Sequence, residues 1–145
     1  MGNWLSLTPE PGDLIEISRG LYQHWAVYVG NGDVVHVTLP PGAEVRHKAA
    51  NRIKSVPTKK ATVKKEKMKE VVGDSTWKIN NSLDEKYEPR SARIIVKEAL
   101  GKVDKRMEYS VIRENCEHFA TKMRYGKAVS IQGMLVDAAT VLVDL

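Results

Sequence analysis

At 145 residues and 42% hydrophobic content, the chain is long enough for one domain with a real core and is ordinary for a soluble protein. A single cysteine excludes an internal disulfide and fits a reducing compartment. The net charge of +5 suits an anionic partner, but the basic residues lack interleaved aromatics and any recognised nucleic-acid motif, so nucleic acid is not the expected partner.

Residues 1–10 read as a flexible arm. Met1-Gly2-Asn3-Trp4-Leu5-Ser6 has the glycine-second, serine-sixth pattern of N-myristoylation, and one such lipid chain needs a basic patch to hold a membrane. The alternative is that Trp4 and Leu5 pack on the domain. A cationic-then-apolar leader is not seen, which argues for synthesis in the cytosol. After a Pro11-Gly12 turn, Leu14 to Ser18 is the first expected core strand, with Asp13 a turn residue rather than a catalytic acid. Arg19 is a surface cation or a phosphate contact.

His24-Trp25-Ala26-Val27-Tyr28-Val29 and Val34-Val35-His36-Val37 are β-rich runs separated by Gly30-Asn31-Gly32-Asp33. Asn-Gly between such runs signals a hairpin, because a type I′ turn needs positive φ at both central residues. With Asn31 and Gly32 as that turn, His36 faces Val27 and His24 lies opposite residue 39. The two histidines then sit about three positions apart on adjacent strands of a twisted pair. Such histidines are open to a shared pocket or to structural and surface roles.

Leu39 to Pro57 looks irregular, broken by Pro40, Pro41 and Gly42 and made basic by Arg46, His47, Lys48, Arg52 and Lys54. Lys59 to Lys69 starts strand-like and turns helical towards Val71-Val72. This basic zone has two readings. One is a solvated face in which Glu66 and Glu70 partner the lysines. The other is a contact surface for anionic phospholipid headgroups through Arg46, Lys48, Lys59, Lys60, Lys64 and Lys65, worth roughly 1 kcal/mol per cation near a charged bilayer.

Gly73-Asp74-Ser75 is a turn, and Trp77 to Asn80 a short strand with Trp77 as core or pocket wall. Ser91 is the expected N-cap of a helix with Ile94, Ile95, Ala99 and Leu100 inward and Gly101 as its stop. Tyr109-Ser110-Val111-Ile112 leads to the last helix of the domain. There Cys116, Phe119, Ala120 and Met123 fall at i, i+3, i+4 and i+7, an apolar stripe closed by Gly126. With Glu114 or Asn115 as N-cap, Cys116 lies at the helix start, where the dipole favours a thiolate. A free cysteine on an apolar face is also commonly a small buried hydrophobe, so the helix alone leaves both roles open.

A cysteine nucleophile needs a base. His118, at i+2 on the helix, points roughly 200° away from Cys116 and reads as a solvated or capping side chain. His47, between Arg46 and Lys48, is poorly poised to accept a proton. His24 and His36 remain.

The blocks Pro11-Gly12-Asp13-Leu14-Ile15-Glu16-Ile17, His24 to Gly30, Val34-Val35-His36, Asn80-Asn81 and Asn115-Cys116-Glu117-His118-Phe119, in that order, resemble one family. It is the phospholipase A/acyltransferase family of H-Ras-like suppressors, related to lecithin retinol acyltransferase, and the resemblance runs from about Pro11 to Gly126. It implies an α+β, circularly permuted papain-like (NlpC-type) fold, an antiparallel sheet packed against helices that include the cysteine helix. Carried over by position, Cys116 matches the nucleophile, His24 the general base and His36 the residue that orients it. The Cys116 backbone N–H is the expected oxyanion donor.

The resemblance further implies a thioester acyl-enzyme formed from glycerophospholipids. Water as acceptor gives phospholipase A1/A2 activity; phosphatidylethanolamine gives N-acylphosphatidylethanolamine, and a lysophospholipid gives O-acyl transfer. No cofactor or metal is expected. The expected organisation is an arm at 1–10, a catalytic domain at 11–127 and an amphipathic tail at 128–145, in a cytoplasmic monomer associated peripherally with membranes. The tail departs from relatives that end in a long apolar anchor, since Gln132, Asp137 and Asp144 interrupt it. Its Met134, Leu135, Ala138, Val141, Leu142 and Leu145 instead form a helical stripe. Two other functions compete: a papain-like peptidase or amidase using the same thiol, and a non-enzymatic membrane or signalling interaction protein of growth-suppressor type.

Overall fold

A computed structural model describes residues 8–38, 60–108 and 112–130. The expectations for Gly2, for residues 39–59 (including Arg46, His47, Lys48 and Lys59) and for the tail stripe from Met134 onward lie outside these residues. In chain order the elements are β1 (Leu14–Ser18), β2 (Gln23–Gly30), β3 (Asp33–Thr38), β4 (Lys60–Lys67), α1 (Met68–Val72), β5 (Trp77–Ile79), a 3₁₀ turn (Ser82–Glu85), α2 (Ala92–Gly101), β6 (Arg106–Glu108) and α3 (Ile112–Tyr125). The strands form one sheet in the order β5-β1-β2-β3-β4-β6, with every neighbouring pair antiparallel. The architecture is α+β.

Both faces of the sheet are covered, and that explains why β2 reads as a near-continuous apolar run instead of an alternating one. On one face Leu14, Trp25, Val27, Val35, Val37, Ala61 and Val63 pack with Ile95 and Ala99 of α2 and with Cys116, Phe119, Ala120 and Met123 of α3. On the other, Ile15, Ile17, Ala26, Tyr28 and Val34 meet Met68, Val71 and Val72 of α1. Trp77 packs against this second cluster. Ser91 caps α2 as expected, its hydroxyl accepting the Ile94 N–H at 3.3 Å. Only Ile95 and Ala99 of that helix are buried, however. Ile94 and Leu100, expected inward, are 43% and 41% exposed, because the sheet takes a narrower stripe of α2 than the apolar spacing offers. Gly101 is the last helical residue rather than a stop beyond it.

The Pro11-Gly12-Asp13 and Asn80-Asn81 blocks, distant in sequence, are one structural unit. The Asn81 side-chain oxygen accepts the Leu14 N–H at 3.0 Å while its amide donates to Asp13 at 3.0 Å. The Asn80 amide donates to Glu16 at 2.7 Å. Asp13 is thus a bridging turn residue, as expected. Gly12 sits at φ +97°, a conformation that L side chains rarely adopt, and a Cβ there would stand 3.2 Å from the Ile95 Cδ1 atom, so the Ile95 side chain would have to give way by a few tenths of an ångström. The Gly12 carbonyl accepts Arg124 Nη1 at 2.8 Å, and the same guanidinium grips both oxygens of Asp84. These contacts fix the end of the cysteine helix to the turn that opens β1.

Candidate active site

The β2–β3 hairpin turns where expected: Asn31 and Gly32 have φ of 56° and 80°, the signature of a type I′ turn, and Gly30 pairs with Asp33. The register then differs from the simple two-residue hairpin. A bulge between Tyr28 and Gly30 shifts it by one, so His36 pairs with Ala26, not Val27. That single residue decides the site. An odd offset puts the two imidazoles on opposite faces; the bulge makes it even and places His24 and His36 as diagonal neighbours on one face. Their ring centroids are 5.0 Å apart with planes at 81°, and His24 Nε2 lies 2.8 Å from His36 Nδ1.

The same diagonal continues on the next strand. His36 pairs with Lys64 of β4, and Glu66, two residues on, reaches back to put Oε2 3.0 Å from His36 Nε2. At the other end Cys116 Sγ stands 3.2 Å from His24 Nδ1 and 3.7 Å from the Val37 carbonyl oxygen. Cys116, His24, His36 and Glu66 therefore form one contact chain. Cys116 is 1% exposed, His24 7% and His36 5%.

α3 begins at Ile112, four residues before the cysteine, so Glu114 and Asn115 are inside the helix and neither is its N-cap. Cys116 lies in the second turn, past the reach of the terminal field, and the imidazole beside it is the stronger influence on the sulfur. Glu117 of the same block is buried and accepts the Ser130 hydroxyl at 3.0 Å, a structural role. Arg19 is not free for phosphate: its guanidinium donates to the Ser75 hydroxyl at 2.9 Å and the Val71 carbonyl at 2.7 Å. His118 has no part in the contact chain and is half-buried on α3. Lys64 and Lys65 are exposed on β4, which Lys60 opens.

Burial holds His24 well below the ordinary imidazole range, with the charges of His36 and Arg19 acting in the same direction. Burial also lowers His36; hydrogen bonding and charge from Glu66 oppose that, and Arg19 and Lys64 reinforce it. Both rings therefore rest neutral near pH 7. Relative to the unfolded value of about 6.5, depressed folded values give a contribution to stability that is full above that pH and lost as pH falls toward the folded values. The thermal midpoint should accordingly drop between pH 7.5 and pH 5.5. A His24→Gln/His36→Gln double variant, followed by circular dichroism, should show a smaller drop.

Glu66 was not legible as a site residue. The sequence offers it only as a partner for flanking lysines, and its place beside His36 depends on β4 pairing with β3 across a long connection.

A buried thiol against a chain of neutral imidazoles, on an antiparallel sheet, is the equipment of a cysteine nucleophile suited to acyl transfer. The family model for lecithin retinol acyltransferase matches residues 7–129, and the protein belongs to that family. The chain is 45% identical to human phospholipase A and acyltransferase 4 over 120 residues, 83% of this chain and 72% of the relative. It is 46% identical to human phospholipase A and acyltransferase 3 and 45% identical to human phospholipase A and acyltransferase 2. Each of those two matches spans 124 residues, 86% of this chain and 75% of the relative.

Proposed function

We propose that the protein is a cysteine-dependent phospholipase A1/A2 and acyltransferase acting on glycerophospholipids. The observation that carries this reading is the 3.2 Å contact between Cys116 Sγ and His24 Nδ1 inside a buried site. His24 Nδ1 takes the thiol proton, and sulfur attacks the ester carbonyl carbon. The Cys116 N–H, the expected oxyanion donor, lies in the second turn of α3, where the carbonyl four residues back already accepts it, so serving the tetrahedral oxyanion requires that helical bond to loosen. Collapse breaks the ester C–O bond, His24 returns its proton to the leaving oxygen, and the lysophospholipid departs from an S-acyl enzyme. His24 next deprotonates the acceptor. Water yields a fatty acid, the amine of phosphatidylethanolamine yields N-acylphosphatidylethanolamine, and a lysophospholipid hydroxyl yields a new ester. Each acceptor restores the thiol.

With the histidine strands ahead of the cysteine helix, the chain order is that of a circularly permuted papain-like fold, and 11–127 is the catalytic unit. We read the protein as a monomer that meets the membrane peripherally. Lys64 and Lys65 supply positive charge, and Leu21, 91% exposed and three residues before His24, supplies an apolar contact. Among the described residues no helix is long and apolar enough to cross a membrane.

The reading is tested by incubating the protein with phosphatidylcholine vesicles, with and without phosphatidylethanolamine, and following products by mass spectrometry. Lysophosphatidylcholine should form in both, and N-acylphosphatidylethanolamine only in the second. Cleavage of peptide amides with no lysophospholipid released would favour the peptidase alternative instead.

A further inference from the structure

We infer that Glu66 is a positioning residue for the reaction proposed above: its carboxylate fixes the tautomer of His36 and, through it, that of His24, so that a bare nitrogen of His24 faces the thiol. The inference rests on that reading of the site for its kinetic consequence, but its geometry stands by itself. A carboxylate only accepts hydrogen bonds, so the 3.0 Å contact with Glu66 Oε2 puts the His36 proton on Nε2. A neutral His36 then has a lone pair on Nδ1, which accepts the His24 Nε2–H at 2.8 Å. Neutral His24 is left with a lone pair on Nδ1, the atom 3.2 Å from Cys116 Sγ. Every hydrogen bond in the row points the same way, from sulfur to carboxylate.

Without an obligate acceptor at position 66 the row can reverse. His36 Nδ1–H would donate to His24 Nε2, and His24 would present an N–H to the sulfur, unable to take its proton. Glu66 also acts through charge. The groups facing His36 are His24 from β2, Arg19 from the β1–β2 connection, and Lys64 and Glu66 from β4; Glu66 is the one that favours positive charge on His36. When the thiol proton moves to His24 Nδ1, the imidazolium keeps its Nε2–H bond to His36. No second proton has to move, and the carboxylate stabilises the new charge from the far side of His36.

The Glu66 side chain is 39% exposed, so its replacement leaves no buried hole. In Glu66→Gln the amide can either accept from or donate to His36. We expect kcat on phosphatidylcholine vesicles to fall about ten- to hundredfold with KM unchanged. The acid limb of the pH–rate profile should move to lower pH, because a negative charge near the base is gone. Glu70→Gln, an exposed control on the same segment with the same change in charge, should alter neither. Imidazole ¹⁵N shifts give a readout independent of turnover: both rings should be Nε2–H tautomers in the wild type and a mixture in Glu66→Gln. A wild-type spectrum with either ring as the Nδ1–H tautomer would overturn the inference, as would a Glu66→Gln enzyme within about twofold of wild-type kcat and with an unshifted profile. Should the wild type show no lipid turnover, the functional reading fails separately, and the ¹⁵N spectra still decide the role of Glu66.

Discussion

Replacing Cys116 by serine is expected to lower lysophospholipid release by about 10⁴-fold or more, with the fold intact. Serine fills nearly the same volume, and its hydroxyl can keep the contacts that sulfur makes with His24 Nδ1 and the Val37 carbonyl. The loss is therefore chemical. A hydroxyl is far harder to deprotonate than a thiol, and burial makes the imidazole beside it a weaker base than usual. Unchanged circular dichroism with abolished turnover is the expected pair of results. Turnover within about tenfold of wild type would place the reacting atom elsewhere.

The second large effect is at His24. His24→Gln retains bulk in a site that is 7% exposed but removes the proton acceptor next to sulfur. General-base catalysis contributes typically about 10²–10⁴-fold, and a loss in that range is expected in kcat with little change in KM. Because burial depresses the base, the wild-type acid limb should lie below the ordinary imidazole value, and this variant should lose that limb altogether. Full activity in His24→Gln would remove the residue from the mechanism.

Much of this was legible in the chain. The three N-terminal strands, the turn at Asn31-Gly32, the Ser91 cap and the stripe through Cys116, Phe119, Ala120 and Met123 all follow from local chemistry, and local chemistry decided them. What could not be read depends on non-local pairing. The bulge near Val29 has no composition signal, yet it determines whether His24 and His36 share a face. β6 and the 3₁₀ turn at Ser82 are too short for periodicity to show. The start of α3 at Ile112 has no local mark, because its first turn lacks the apolar spacing of the rest. Ile94 and Leu100 carry the right spacing but meet solvent, since the spacing says nothing about how wide a stripe the sheet can cover. Glu66 is the instructive case: its neighbours in sequence are lysines, and its partner is a histidine 30 residues earlier.

The most direct test is intact-mass measurement of the protein trapped during turnover of phosphatidylcholine vesicles. A gain of one acyl chain on the wild type, removed by hydroxylamine and missing in Cys116→Ser, is the result expected of an acyl group carried on sulfur. Steady lysophospholipid release with no adduct under trapping, or the same adduct on Cys116→Ser, would contradict it.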